Sequence, residues 1–462
     1  MKKKEHLFFL IKSLTKAEKR YFRLFASSNN ENKNYLLLFN AIDKQEKYDE
    51  ALIKKNYAGR KFSKQLHVTK NYLTQLILKS LRNFHSTVSA DAKLKDLQRE
   101  IEILQKRELY VHCETLLDKA IKLAGSYEKW PDLLSLLDTK RRILLNSKGS
   151  IQSFAALKEI HKKEKETISK ISNTSTYWDL TTNLFSINQT REKTMENPYL
   201  KTAENADSIQ ARTLYHFIWQ GIYFTQNDYN NASEHMNQAI NLWEENKHQI
   251  SENPGSYLTL LNNLIGINLN FKKFEEAEKL VHKIRQVPGQ YKLSNNNPIA
   301  IKAVMQSYNV ELEIYRDTNQ IKKGISVISE ADSYMKAKPE FIPKTYKLLL
   351  LYQFAYLYYL NNQLDDSLAY LNIILAGKFE NIREDIQSFA HLLFLIIHFE
   401  LNNMILLRYA VESCRRFLKK KHHLQGYERV LLTGFSKLST VSKNDYKKYF
   451  TWMKQNIFKF SR

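Results

Sequence analysis

Apolar residues recur at three- and four-residue spacing through most of the chain, as in Leu348, Leu351, Tyr352, Ala355, Tyr358 and Tyr359. That period puts one greasy stripe on a 3.6-residue helix, and no alternating run bounded by turn pairs competes with it, so the pattern predicts an all-α protein. The prolines punctuate it. Pro131, Pro198, Pro254, Pro288, Pro298, Pro339 and Pro343 fall between periodic stretches, where helices are expected to stop. Near the start, 7–14, 17–25 and 35–42 read as short amphipathic helices, with Thr15 and Glu18 at capping-box spacing. Two later stretches, 348–360 and 389–401, are strongly apolar. At 13 residues each they are too short to span a bilayer and predict buried helices.

A longer period overlies the helical one. Tyr223-Phe224, then Asn227-Asp228-Tyr229 and Ala232, with Ala239 seven residues on, sets the pattern: an aromatic, a polar turn, and small residues opening a second helix. Lys272-Lys273-Phe274 with Ala277 repeats it. So do Tyr315, Asn319-Gln320-Ile321, Gly324 and Ala331, then Ala355, Tyr358, Asn362-Gln363-Leu364 and Ser367. Asn402-Asn403-Met404 gives a degraded copy with Leu407 at the small position, and Glu108-Leu109-Tyr110, Cys113 and Ala120 match upstream. From Ala232 to Leu407 the anchors stand 45, 47, 43 and 40 residues apart. Small residues let two antiparallel helices approach closely while the aromatics fill the gap to the next pair. The 119 residues from Cys113 to Ala232 leave room for two further pairs that do not align.

This pattern resembles the tetratricopeptide repeat, lengthened beyond its usual period of about 34 residues. The resemblance implies a stack of antiparallel helix pairs, an α-solenoid, that would bind a peptide or protein along its concave groove. Cys113 and Cys414 both land where such a unit wants a small packing residue, so both predict buried structural thiols.

The composition supports a large core: 43% of residues are hydrophobic, with 24 Phe, 27 Tyr and 5 Trp, while 11 Gly and 7 Pro are too few for a turn-rich β fold. Two cysteines in 462 residues make no disulfide framework, and the apolar run after Met1-Lys2-Lys3-Lys4 ends at Lys12 with no cleavage-site pattern. A cytoplasmic protein without a membrane partner is expected. The formal net charge is +23. Residues 1–90 hold 19 Lys and Arg against 7 Asp and Glu, and residues 408–462 hold 14 against 3, so the 317 residues between them are neutral. The organisation expected is a basic helical head over 1–90, a helical repeat array over 91–425 and basic capping helices over 426–462. Basic ends favour an acidic partner such as a nucleic acid.

Within the head, Phe62-Ser63-Lys64-Gln65-Leu66-His67-Val68-Thr69-Lys70-Asn71-Tyr72-Leu73, running on to Arg82, supports two readings. It resembles the middle of a DNA-binding helix-turn-helix with His67 in place of the usual turn glycine. Thr69, Lys70, Asn71 and Gln75 would then face the major groove, with Lys64 and Arg82 on phosphates. The other reading is one continuous basic amphipathic helix from about Phe62 to Phe84, packed on the first hairpin.

No motif for nucleotide binding, metal-dependent hydrolysis or a nucleophile elbow is present, so neither a cofactor nor an enzymatic activity is expected. His112 beside Cys113, the pair His422-His423, and His391 with His398, seven residues apart on one helix face, are the suggestive clusters; core histidines are the commoner outcome. Glu275-Glu276 and Asp365-Asp366 fall at helix starts and predict solvated caps.

Taken whole, the opening segment from Leu10 to Phe25, followed by the repeat-like body, resembles a group of uncharacterised helical-repeat proteins from Bacteroidetes, which implies no particular activity. The function expected is that of a non-enzymatic interaction or scaffold protein with a groove as its site. The alternative is a transcriptional regulator whose head binds DNA while the repeats sense a partner.

Overall fold

The computed structural model describes residues 5–27, 33–86, 89–152, 154–184, 195–291, 293, 297–338, 341–376, 379, 381–420 and 426–458. Among these the chain is helical and contains no β-strand; Pro339 and His422-His423 lie outside them. No described helix is long and apolar enough to cross a membrane. The chain divides into two compact units, one of residues 1–222 with 246–252, the other of 223–245 with 253–462.

In the first unit, α1 (His6–Ser13), α2 (Lys16–Ser27), α3 (Lys33–Asp43), α4 (Glu50–Asn56), α5 (Lys61–Lys64) and α6 (Leu66–Phe84) build the head. Thr15 and Glu18 do form the capping box that starts α2: the Thr15 amide donates to the Glu18 carboxylate at 2.6 Å and the Glu18 amide to the Thr15 hydroxyl at 3.2 Å. Ile11, Phe22, Phe39, Leu73 and Ile77 fill one core, which makes α6 the wall on which the shorter helices pack. The unit continues through α7 (Ala90–Gln105), α8 (Tyr110–Ser126), α9 (Trp130–Gln152), α10 (Phe154–Leu184) and the start of α11 (Ile209–Thr225). Among the described residues, the stretch with room for two unaligned pairs holds one pair of long helices, α9 and α10, and then two 3-10 turns at Pro198–Leu200 and Ala203–Asn205.

The second unit begins with α12 (Tyr229–Glu245), while the short α13 (Lys247–Glu252) belongs to the first. It then runs through the pairs α14 (Pro254–Asn270) with α15 (Phe274–Gln290), α16 (Pro298–Asp317) with α17 (Ile321–Ala337), α18 (Lys344–Leu360) with α19 (Leu364–Leu375), and α20 (Glu384–Glu400) with α21 (Met404–Lys420). The closing helices are α22 (Tyr427–Leu438) and α23 (Tyr446–Ile457). Each helix packs on its neighbours in sequence, and α14, α16, α18 and α20 also touch one another in a row. Pro254 and Pro298 occupy first-turn positions, where the missing N–H costs nothing, and Pro343 precedes α18. Pro288 is different: it lies inside α15, two residues before its end, where it removes one i→i−4 hydrogen bond close to where the helix stops.

One turn geometry recurs at the centre of every repeated motif. Glu108, Asn227, Lys272, Asn319, Asn362 and Asn402 all have φ of 57–61°. In each case the following amide donates five residues back, at 2.7–3.1 Å, as in Gln320 to Tyr315 and Gln363 to Tyr358. This is a Schellman closure, which stops the first helix and reverses the chain in three residues. Five residues after each left-handed residue stands a buried one: Cys113, Ala232, Ala277, Gly324, Ser367 or Leu407. Ala120, Ala239, Ala331, Ala355 and Cys414 are fully buried as well. The contact that requires small size is visible twice. The Ser367 hydroxyl donates to the Ala355 carbonyl at 2.7 Å, and the Cys113 thiol to the Ile101 carbonyl at 3.7 Å, each twelve residues back on the preceding helix. Helices of 17 residues, as in α14, α15, α17, α18, α20 and α21, account for the long spacing.

Candidate functional site

In the second unit the row of first helices leaves a face that packing does not consume. Between α16, α18 and α20 it forms a cavity of about 550 Å³, lined by Asn309, Glu313 and Arg316 from the first, Tyr352, Gln353 and Tyr356 from the second, and Phe389 from the third with Arg383 just before it. A second depression of about 560 Å³, between α14, α15 and α16, shares Glu313 as its rim and adds Lys272 and Asp317.

The wall of the first cavity is aromatic. Tyr352 and Tyr356 stack with their rings 6.2 Å apart and 5° from parallel, Tyr352 meets Phe389 at 6.4 Å, and Phe389 is 41% exposed. Its floor is polar. Arg316 donates to Asp317 at 2.8 Å and to the Gln353 side-chain oxygen at 3.3 Å, and approaches Glu313 at 3.7 Å. Burial lifts the Glu313 carboxyl above its ordinary range, Arg316 opposing and Asp317 adding to the shift, and burial pushes the Tyr352 hydroxyl up to about 12. The Asn309 side-chain oxygen is buried and accepts a hydrogen bond from no described residue. A buried acceptor left in that state costs about 1–3 kcal/mol.

These residues carry no motif, so sequence reasoning passed over them. Their signal is register: ten and six residues before the turn residues Asn319 and Asn362 stand Asn309 and Glu313, then Tyr352 and Tyr356. Offsets from a repeated turn pick out one helix face, but only once the turn geometry is known.

The six head residues singled out for nucleic acid separate into two groups. Lys64, Asn71, Gln75 and Arg82 are exposed. Thr69 is buried, and its hydroxyl donates to the carbonyls of Gln65 at 3.1 Å and Phe62 at 3.4 Å. Lys70 turns inward along α4, donating to the Tyr48 hydroxyl at 2.9 Å and pairing with Glu50 at 3.1 Å. Burial would raise the Glu50 carboxyl, but the ammoniums of Lys54 and Lys70 and the Tyr48 hydroxyl hold it down at about 2. The break before α6 falls at Gln65, with φ −117° and ψ 42°, rather than at His67, which lies in the first turn of a 19-residue helix. Tyr72 is half-exposed and stacks on Tyr35 at 4.3 Å.

Other reactive side chains are spent on packing. Burial raises both thiols, that of Cys414 to about 12, which removes the thiolate needed for nucleophilic chemistry. His391 lies 4.6 Å from the Phe417 ring and burial lowers it to about 4; His398 meets Phe394 edge-on at 4.3 Å and burial lowers it too. His112 points to solvent, away from Cys113. Glu275, Glu276, Asp365 and Asp366 are exposed in the first turns of α15 and α19.

Glu278, His282 and Glu311 bring their ligand atoms within 4.8 Å of one another. The arrangement already contains a cation. Arg285 pairs with Glu311 and donates to the Ser307 hydroxyl at 3.0 Å, while the Tyr315 hydroxyl donates to Glu278 at 2.5 Å and to Glu311 at 3.3 Å. With those lone pairs engaged and an Arg in place, the cluster is a structural ion-pair network rather than a metal centre.

No protein-family model and no curated protein sequence matches the chain.

Proposed function

We propose that this is a non-enzymatic interaction protein whose second unit holds an extended peptide segment of a partner along the face of α14, α16, α18 and α20. In this reading the helix pairs form a tetratricopeptide-like solenoid, and that face is its concave groove. The observation that carries the reading is the cavity between α16, α18 and α20, where the aromatic strip of Tyr352, Tyr356 and Phe389 faces the polar side chains of Glu313 and Arg316. Apolar side chains of the peptide cover Tyr352 and Phe389, and its backbone groups meet the polar side chains beside them. The shared turn at Asn319, Asn362 and Asn402, with a tightly packed residue five positions on, supports the solenoid. Both cysteines are buried free thiols, in keeping with a cytoplasmic protein.

Panning a peptide library against the full chain tests it. Enriched peptides should lose affinity at least tenfold with Tyr352→Ala plus Phe389→Ala, about 1.4 kcal/mol, and keep it with Tyr409→Ala, an exposed residue of α21. Peptides indifferent to these groove changes would remove the reading.

A further inference from the structure

The outward face of α6 takes no part in the groove and has a chemistry of its own. The helix buries Leu66, Thr69, Leu73, Ile77 and Ser80 along one side. The opposite side presents Val68, Asn71, Gln75, Leu78, Lys79 and Arg82, all exposed, with Lys64 exposed just before the helix begins. Between Glu50 and Asp91 the sequence has eight lysines and arginines and no carboxylate, and acidic side chains come near the face only at its Arg82 end, where Asp91 and Asp96 line one pocket with Arg82. Glu50 itself is occupied by Lys54 and Lys70.

We propose that this face of α6 binds duplex DNA in the major groove. A helix about 10–12 Å across fits a groove about 12 Å wide, and 19 residues give it a length of about 28 Å. The order of groups along the face suits the ligand. Lys64, Lys79 and Arg82 stand at its two ends, where phosphates flank the groove. Asn71 and Gln75 lie at its centre, and side-chain amides read the edge of adenine, while Val68 and Leu78 beside them suit a thymine methyl. An anionic membrane would instead require the centre of the face to be apolar, and here the centre is two amides. Duplex RNA is disfavoured because its major groove is too narrow and deep for a helix.

Fluorescence anisotropy of the full chain with a labelled random-sequence DNA duplex of about 20 base pairs, titrated between about 50 and 200 mM salt, decides the matter. The wild type should bind with a steep negative log–log salt slope. Lys64→Gln, Lys79→Gln and Arg82→Gln together should reduce that slope by about 2.7, or about 0.9 per phosphate contact. The wild type then loses roughly fortyfold more affinity over a fourfold rise in salt than the variant does. Lys79→Gln alone should remove about 0.9. Asn71→Ala with Gln75→Ala should keep the slope but flatten any preference enriched from a randomised duplex pool. Four results overturn the proposal: no wild-type binding at the low-salt end, an unchanged slope in the triple variant, tighter binding to anionic lipid vesicles than to the duplex, or an equal loss from Lys447→Gln, Lys448→Gln and Lys454→Gln in α23. The last would make binding a matter of bulk charge.

Discussion

Replacing Arg285 by Met should open α15 and α16 by about 3–5 kcal/mol, the range for a buried ion pair that loses one partner. Glu311 is only 2% exposed, so its carboxylate cannot turn to water when the guanidinium is gone. It would keep one hydrogen bond, from Tyr315 at 3.3 Å, and a histidine nitrogen 4.0 Å away. Arg285 also lies 3.8 Å from the centre of the Tyr308 ring, a contact worth roughly 0.5–2 kcal/mol. The reverse deletion, Glu311→Leu, should cost less, because the Arg285 side chain is 17% exposed and keeps Ser307 and Tyr308. With both replaced, the site becomes an apolar contact of similar volume, and the double variant should recover most of the loss. Two units need not unfold together, so a single melting temperature is the wrong readout. Hydrogen exchange on peptides from α15 and α16 reports the local opening free energy directly. If the single losses simply add in the double variant, or Arg285→Met costs less than about 1 kcal/mol, the network is not a coupled buried charge system and the reasoning fails.

Lys272→Gly should raise stability by about 0.5–1 kcal/mol, since lysine tolerates a φ of 58° poorly, whereas Asn319→Gly should be near neutral; urea titration of the two variants distinguishes them. Gly434→Ala should cost about 1–3 kcal/mol in the C-terminal core, because a Cβ there runs into the Met453 side chain, and Met453→Ala in the same protein should restore part of the loss by thermal unfolding. His391 is held near 4 by burial, below its ordinary 6.5, so the unfolded chain takes up its proton first as pH falls. The stability it contributes is complete above about 6.5 and lost down through about 4; His391→Phe should make unit 2 less acid-sensitive in that window, and an unchanged acid limb would refute this.

The helices, their breaks and the small packing residues are written locally. A Schellman turn needs only the residues that form it, and a close helix–helix contact within a hairpin depends on residues twelve apart, so Asn362, Ser367 and Ala355 could be read together from a period. The fate of the head residues was not legible in that way. Thr69 and Lys70 sit in the same basic segment as Asn71 and Gln75. Which of them face solvent depends on the side of α6 against which the hairpin docks and on Tyr48 and Glu50, some twenty residues upstream. Pro288 shows the converse, a strong local breaker tolerated within the last turn of α15.

The all-helical class and the paired-helix period thus follow from the order of residues alone, because helix formation and hairpin closure are short-range events governed by side-chain period and backbone φ. The cavity between α16, α18 and α20 does not. Its residues lie about forty positions apart along the chain and meet only when successive pairs pack side by side, so the same Asn, Glu, Tyr and Phe would be ordinary surface on an isolated hairpin. Burial of the Asn309 oxygen and the shift of Glu313 arise from that packing, which desolvates groups that no local pattern marks.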